Sequence, residues 1–180
     1  MCCIFSGSDL RASHGICIMD YIRQFVVRIE CWNIGDVDSN IFDGFFFENT
    51  AKYIITSGHA AGYKHTVVLT ADGKIIRCKL FMVGNMDMAV FKLETDLTLP
   101  HFPKATTNVG IGDKLTLFGS EHQIETVVTF VEKATIQITE KGPAGAPVFT
   151  KDGLFAGFVR GNSQTVLPAF MVQLFLKSYH

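Results

Sequence analysis

Short apolar, β-rich runs recur along this chain, the one at 25–32 with partial alternation, separated by glycine, proline, asparagine and aspartate. Runs of that length between turn residues predict strands. FVVRIECW at 25–32 is rich in β-branched and aromatic residues. IFDGFFF at 41–47 predicts a second strand, with Gly44 where a bulge or a close backbone approach would fall. Further runs lie at 53–56, 66–70, 74–83 and 88–93. Ala71-Asp72-Gly73 is a hairpin turn, because Asp-Gly suits positive φ. Pro100 and Pro103 mark 94–103 as an irregular connector. Strand patterns resume at 114–118, 126–131, 134–138, 148–149, 154–160 and 165–167. The tail then changes period. Phe170, Met171, Leu174 and Phe175 fall at helical spacing, with Pro168 tolerable in a first helical turn. The expected order is about six strands, a connector, about six strands and a short amphipathic C-terminal helix, in two sandwich or barrel halves. Residues 1–19 carry little pattern. Ser8 and Asp9 offer a helix cap, Gly15 interrupts it, and the segment reads as an arm on the surface or as an end shaped by processing of a longer precursor.

Length and composition narrow the function classes. A chain of 180 residues holds one domain or two small ones sharing an interface, and buries about 70% of its unfolded surface. The formal net charge of −1 argues against nucleic acid as the main partner, since phosphate binding needs clustered positive charge. No apolar run reaches membrane-spanning length, and the first residues lack the pattern of a secretory signal. Five cysteines at scattered positions do not predict a disulfide framework, so a reducing, intracellular setting is expected. Cys2-Cys3 is not a zinc signature, and no metal or cofactor is expected. His14, His65, His101, His122 and His180 lie in loops or termini without partners at metal spacing.

The chemistry concentrates in three stretches. TEKGPAGAPVF at 139–149 is a strand end, a tight turn punctuated by Gly142, Gly145 and Pro147, and a new strand. Such a turn aims consecutive backbone N–H groups into one small space, which suits a developing oxyanion. KYIITSGHAAG places His59 after an apolar strand, and NMDMAVFKL places Asp87 at the opening of another. Asp72 competes for the carboxylate role, but its Asp-Gly turn explains it by itself.

From about residue 25 to residue 176 these motifs, in the order His, Asp, nucleophile loop, resemble chymotrypsin-like proteases, and T-x-x-G resembles the viral 3C-like branch. The resemblance implies an all-β fold of two six-stranded antiparallel barrels with a short C-terminal helix. Residues 1–96 would hold the arm and the barrel bearing His59 and Asp87. Residues 97–180 would hold the connector, the second barrel, the nucleophile loop and the helix. It further implies His59 as general base and Asp87 as its orienting carboxylate. Backbone N–H groups of Gly142 and Ala144 would form the oxyanion hole. Thr139, Val159, Arg160, Gly161 and Asn162 would meet the substrate, with Val159 where many viral relatives keep a histidine. Arg160 would meet an acidic side chain if its alternation turns it toward the pocket. The disulfide that braces the histidine loop in secreted relatives is missing around His59. Ala144 stands where the family keeps its nucleophile, so the chain as written is expected to be inactive. Three readings remain open: a serine replaced by alanine, a natural pseudoprotease that binds peptides or proteins, and a family member whose nucleophile is cysteine. The expected partner is a polypeptide, a viral polyprotein in host cytoplasm. Oligomeric state is left open.

Overall fold

The computed structural model describes residues 17–47, 52–84, 86–161 and 163–177. A short helix α1, Ile18–Arg23, leads into the first set of strands. These are β1 Val26–Trp32, β2 Asn40–Phe46, β3 Tyr53–Ser57, β4 His65–Leu69, β5 Ile75–Gly84 and β6 Met88–Leu93. They close into a barrel in the order β1-β2-β3-β6-β5-β4. The second set is β7 Lys114–Phe118, β8 Gln123–Glu132, β9 Thr135–Ile138, β10 Pro147–Thr150, β11 Phe155–Val159 and β12 Thr165–Pro168. It closes in the order β10-β11-β12-β9-β8-β7, and helix α2, Ala169–Lys177, follows. All the strand pairs are antiparallel. Two closed six-stranded antiparallel barrels with a C-terminal helix fit a chymotrypsin-like fold. No described helix is long and apolar enough to cross a membrane.

Each barrel has its own core, and a third cluster fills the space between them. Ile29, Phe46, Ile54, Val68 and Phe91 pack inside the first barrel, and Leu117, Val128, Ile138, Val148 and Val166 inside the second. Phe45, Phe47, Phe118, Phe149, Phe155 and Phe158 form the shared cluster. Phe102, from the connector, sits among them, with ring centroids 5.2 Å from both Phe47 and Phe155. Edge-to-face and tilted aromatic pairs of this kind add to the apolar burial. Phe155 is fully buried and touches Phe45, Phe47, Phe102 and Phe149. Phe155→Ala is therefore expected to cost about 3–5 kcal/mol, read as a lower urea midpoint. An effect below ~1 kcal/mol would contradict this packing.

Polar contacts also cross between the barrels. Arg28 on β1 pairs with Glu121 at 3.1 Å, and Arg23 of α1 donates to Gln123 Oε1 at 2.7 Å. These partners lie in the β7–β8 turn and at the start of β8, so the turn is held on the first barrel.

Some expectations are corrected. Pro168 ends β12 rather than opening the helix. The buried stripe of α2 runs through Ala169 and Val172, while Leu174 is 58% exposed. The helix covers the second barrel, but Phe175 also reaches the first. A Cβ added at Gly84 would come within 2.4 Å of its ring. The Ser8–Gly15 reading lies outside the described residues. Cys17 is disulfide-bonded, whereas Cys31 and Cys78 are free and buried. Sequence spacing does not report which sulfurs meet in space. Burial raises the Cys31 thiol pKa and, with Cys31 and Glu94 nearby, pushes that of Cys78 up to about 12, so both stay protonated and unreactive at neutral pH.

Candidate functional site

β3 ends at Ser57 and the chain turns at once through a 3₁₀ segment, Gly58–Gly62, which carries His59. The neighbouring strand β6 begins at Met88, paired with Ser57. Asp87, one residue before Met88, is thereby brought beside His59, two residues after Ser57. His59 Nδ1 lies 3.1 Å from Asp87 Oδ1. With Nδ1 donating to the carboxylate, Nε2 is the nitrogen that carries the lone pair. The imidazole side chain is 72% exposed and the Asp87 side chain 20%. The pair is open to solvent on the histidine side, so it contributes little to stability.

Asp87 adopts φ 55°, the only non-glycine left-handed residue among those described. Aspartate tolerates that region better than most residues, at some cost in strain. Its carbonyl accepts the Gly58 N–H at 3.0 Å. A Cβ at Gly58 would lie 3.0 Å from Asp87 Oδ1 and 3.1 Å from its Cα, so glycine there lets the Asp87 turn approach. Ser57 adds a contact that the sequence reading missed. Its hydroxyl donates toward Asp87 Oδ1 at 3.3 Å, lies 3.2 Å from His59 Nδ1, and accepts the His59 backbone N–H at 3.3 Å. Asp72, the competing carboxylate, sits in the β4–β5 turn with Thr70 and Lys74. The Thr70 hydroxyl bond holds its carboxyl below the usual range, and turn chemistry accounts for it.

The glycine-proline loop comes from the second barrel and docks on the first. The Asp43 N–H donates to the Ala144 carbonyl at 3.1 Å. The Thr56 hydroxyl donates to the Asp43 carbonyl at 2.8 Å. Gly145 has φ 88°, and a Cβ there would come 2.0 Å from the Asp43 carbonyl oxygen and 2.9 Å from Thr56 Oγ1. Both the backbone angle and the space require glycine. Thus residues 144 and 145 press against the end of β3, and His59 follows Thr56 by three positions. Ala144 is 6% exposed.

The remaining candidates divide. The Gly142 N–H donates to the Ser163 carbonyl at 2.9 Å, so in this conformation it is engaged rather than aimed at an oxyanion. A Cβ on Gly142 would meet Leu117 Cδ2 at 2.2 Å, so close packing also demands glycine there. The Thr139 hydroxyl pairs with that of Thr126 at 3.1 Å and accepts the Val127 N–H at 3.2 Å. Val159 is fully buried in the second core. Its carbonyl accepts the Gly145 N–H at 3.0 Å, so it supports the loop from within the barrel. Arg160 and Gly161 are half-buried, and a Cβ on Gly161 would lie 3.6 Å from Asp87 Oδ2. Asn162 lies outside the described residues. Among those described, no group of His, Cys, Asp and Glu is arranged to hold a metal ion. His65 stacks on Trp32 with ring centroids 5.6 Å apart, and His122 lies near Asp43. His14 and His180 lie outside the described residues.

Asp43 is the other residue that sequence reasoning missed. It ties β2 to the Ala144 loop through its backbone and to the β7–β8 turn through Oδ1, which accepts the Ser120 N–H at 2.9 Å. Its side chain is buried, and burial raises its carboxyl pKa against the opposing pull of the Ser120 bonds. A carboxyl raised in the fold favours folding most when protonated. That contribution is complete below the ordinary carboxylate pKa and is lost as pH rises through the raised value. Asp43→Asn keeps an oxygen for Ser120 and cannot ionise. Its unfolding free energy relative to the parent should increase between pH 4 and pH 7, measured by urea titration. A shift in the opposite direction would show that the carboxylate is preferred.

No protein-family model and no curated protein matches this chain.

Proposed function

We propose that the chain is a chymotrypsin-like serine endopeptidase of the viral 3C-like type, which processes a polyprotein, held here in a form with alanine at the nucleophile position. The observation that carries this reading is the His59–Asp87 pair at 3.1 Å, on the barrel end against which the Ala144 loop docks. Three separate stretches thus supply a base, its orienting carboxylate and a loop of the right type.

The chemistry follows from these groups. In an Ala144→Ser form the hydroxyl attacks the scissile carbonyl and His59 Nε2 takes its proton. Asp87 holds the imidazole orientation and stabilises the imidazolium. The proton passes to the leaving amine, and water then releases the acyl group by the reverse sequence. The negative oxygen formed in each half needs backbone donors. Gly142 supplies one only after its N–H leaves the Ser163 carbonyl.

A second reading is supported by Ala144 and by the engaged Gly142 amide. The same cleft would then bind an extended peptide without cutting it, as an added strand. Incubating the Ala144→Ser and Ala144→Cys variants with a peptide library separates these cases. Cleavage by one of them that is lost with His59→Ala supports the endopeptidase and names its nucleophile. Peptide binding without cleavage, with the fold intact, supports the binding module.

A further inference from the structure

Arg160 has the charge and the position for a role that its backbone does not explain. It follows β11, where Val159 points into the second core beside Val166 and Ile136. Alternation turns the next row to the other face. That row is Arg160, Thr165 and Gln137. The Arg160 N–H donates to the Thr165 carbonyl at 2.9 Å, and Thr165 pairs with Gln137. All three are half-buried. The result is a polar strip on the outside of the barrel, with a guanidinium at one end.

That guanidinium is unanswered. Arg160 Nε is buried and has no hydrogen-bond partner, and Arg160 makes none of the ion pairs found among the described residues. Arg28 is the contrasting case. Its Nε is also unpartnered, but its charge meets Glu121 at 3.1 Å and Glu30 at 3.8 Å. A partly desolvated cation without a counter-charge is costly to keep, and the cost is recovered when an anion arrives.

The segment bearing Arg160 is fastened to the candidate site on both sides. Gly161 faces Asp87 Oδ2, with 3.6 Å to a built Cβ. Ser163 accepts the Gly142 N–H at 2.9 Å, and Gln164 Nε2 donates to the Thr139 carbonyl at 2.6 Å. The turn that follows Arg160 therefore touches the His59–Asp87 pair through Gly161 and the 139–142 stretch through Ser163 and Gln164.

We propose that Arg160 reads a carboxylate side chain of the bound peptide, so that the site selects peptides carrying Asp or Glu at the residue lodged beside it. This rests on the peptide-cleft reading above and names its substrate class. The planar fork of arginine accepts a carboxylate through two parallel hydrogen bonds. A glutamine side chain offers one neutral acceptor, and a lysine is repelled.

The test uses matched peptides that differ only at one position, carrying Glu, Asp, Gln, Ala or Lys, scanned through each position in turn. Binding is measured by fluorescence polarisation on the chain as it stands, and cleavage on the Ala144→Ser variant. At one position the acidic peptides should be favoured over Gln by roughly 30-fold or more. Arg160→Gln should flatten that preference and Arg160→Glu should turn it toward Lys. Arg160→Lys should keep part of it, and circular dichroism checks each fold. A preference for neutral or basic residues, or an acidic preference that survives Arg160→Gln, overturns the assignment while leaving the peptidase reading intact. If no peptide is bound or cut at all, the peptide-cleft reading fails and this inference fails with it. Acidic peptides that bind through Arg160 but are not cut keep the inference and point to the binding module.

Discussion

Ala144→Ser is expected to raise hydrolysis of a cleavable peptide by about a millionfold over the alanine form, since loss of a serine nucleophile from an intact triad costs about that much. The surroundings need no change for this. The loop is held by the Asp43–Ala144 bond at 3.1 Å and by the Gly145 turn seated on Asp43 and Thr56. A hydroxyl on the residue 144 methyl leaves those backbone contacts alone. The rate is read with a fluorogenic peptide taken from the library screen, and His59→Ala in the same background should return it to the alanine level. A gain that persists without His59 would mean that another group activates the hydroxyl, and the base assigned here would be wrong.

Asp87→Asn in the Ala144→Ser background is expected to lower kcat by about ten-thousand-fold at neutral pH. The asparagine amide faces Nδ1 with a donor on one side, so the imidazole tautomer that leaves Nε2 as the base is no longer enforced. Folding should survive, because asparagine also tolerates the left-handed backbone of residue 87 and keeps a carbonyl for Gly58. KM should change little, since Asp87 faces the histidine rather than the peptide. Ser57 is placed to retain part of the orientation, with its hydroxyl 3.2 Å from Nδ1. A loss below about tenfold would therefore assign the orienting role to Ser57, and Ser57→Ala in the double variant would show it by a further fall.

Much of this was legible from the pattern of residues. Short β-rich runs bounded by turn residues located the strands and the break between the barrels, although β6 and β11 are buried along nearly their whole length and show no alternation. The His59 and Asp87 stretches stood out because each sets an ionisable residue at the end of an apolar strand, with no Asp-Gly turn to explain it. Other features were hidden for physical reasons. α1 has only six residues, too few to show a helical period. The stripe of α2 predicted at Phe170, Met171, Leu174 and Phe175 is right for Met171 and Phe175, which pack on the shared cluster, and wrong for Leu174, because all four residues are apolar and only packing decides which of them are covered. Phe102 looked like connector, yet it fills the space between the barrels, and contact between distant residues leaves no local trace. Asp43 sits in an apolar strand with no motif, and its three contacts come from three other elements. Gly142 was read as an oxyanion donor, whereas its amide is taken by Ser163 and its missing Cβ makes room for Leu117. Val159, expected beside the substrate, lies in the second core, and only packing reports which face of β11 it takes.

The most direct measurement is covalent labelling of the Ala144→Ser variant with a fluorophosphonate, which needs no knowledge of the natural substrate. An activated serine oxygen displaces fluoride from phosphorus and keeps the phosphonyl group. The account predicts an adduct at position 144 by peptide mass spectrometry, formed at a rate that collapses in His59→Ala and falls steeply in Asp87→Asn. A correctly folded Ala144→Ser protein that takes no label there, or takes it equally well without His59, would contradict the assignment of this cleft as a hydrolytic site.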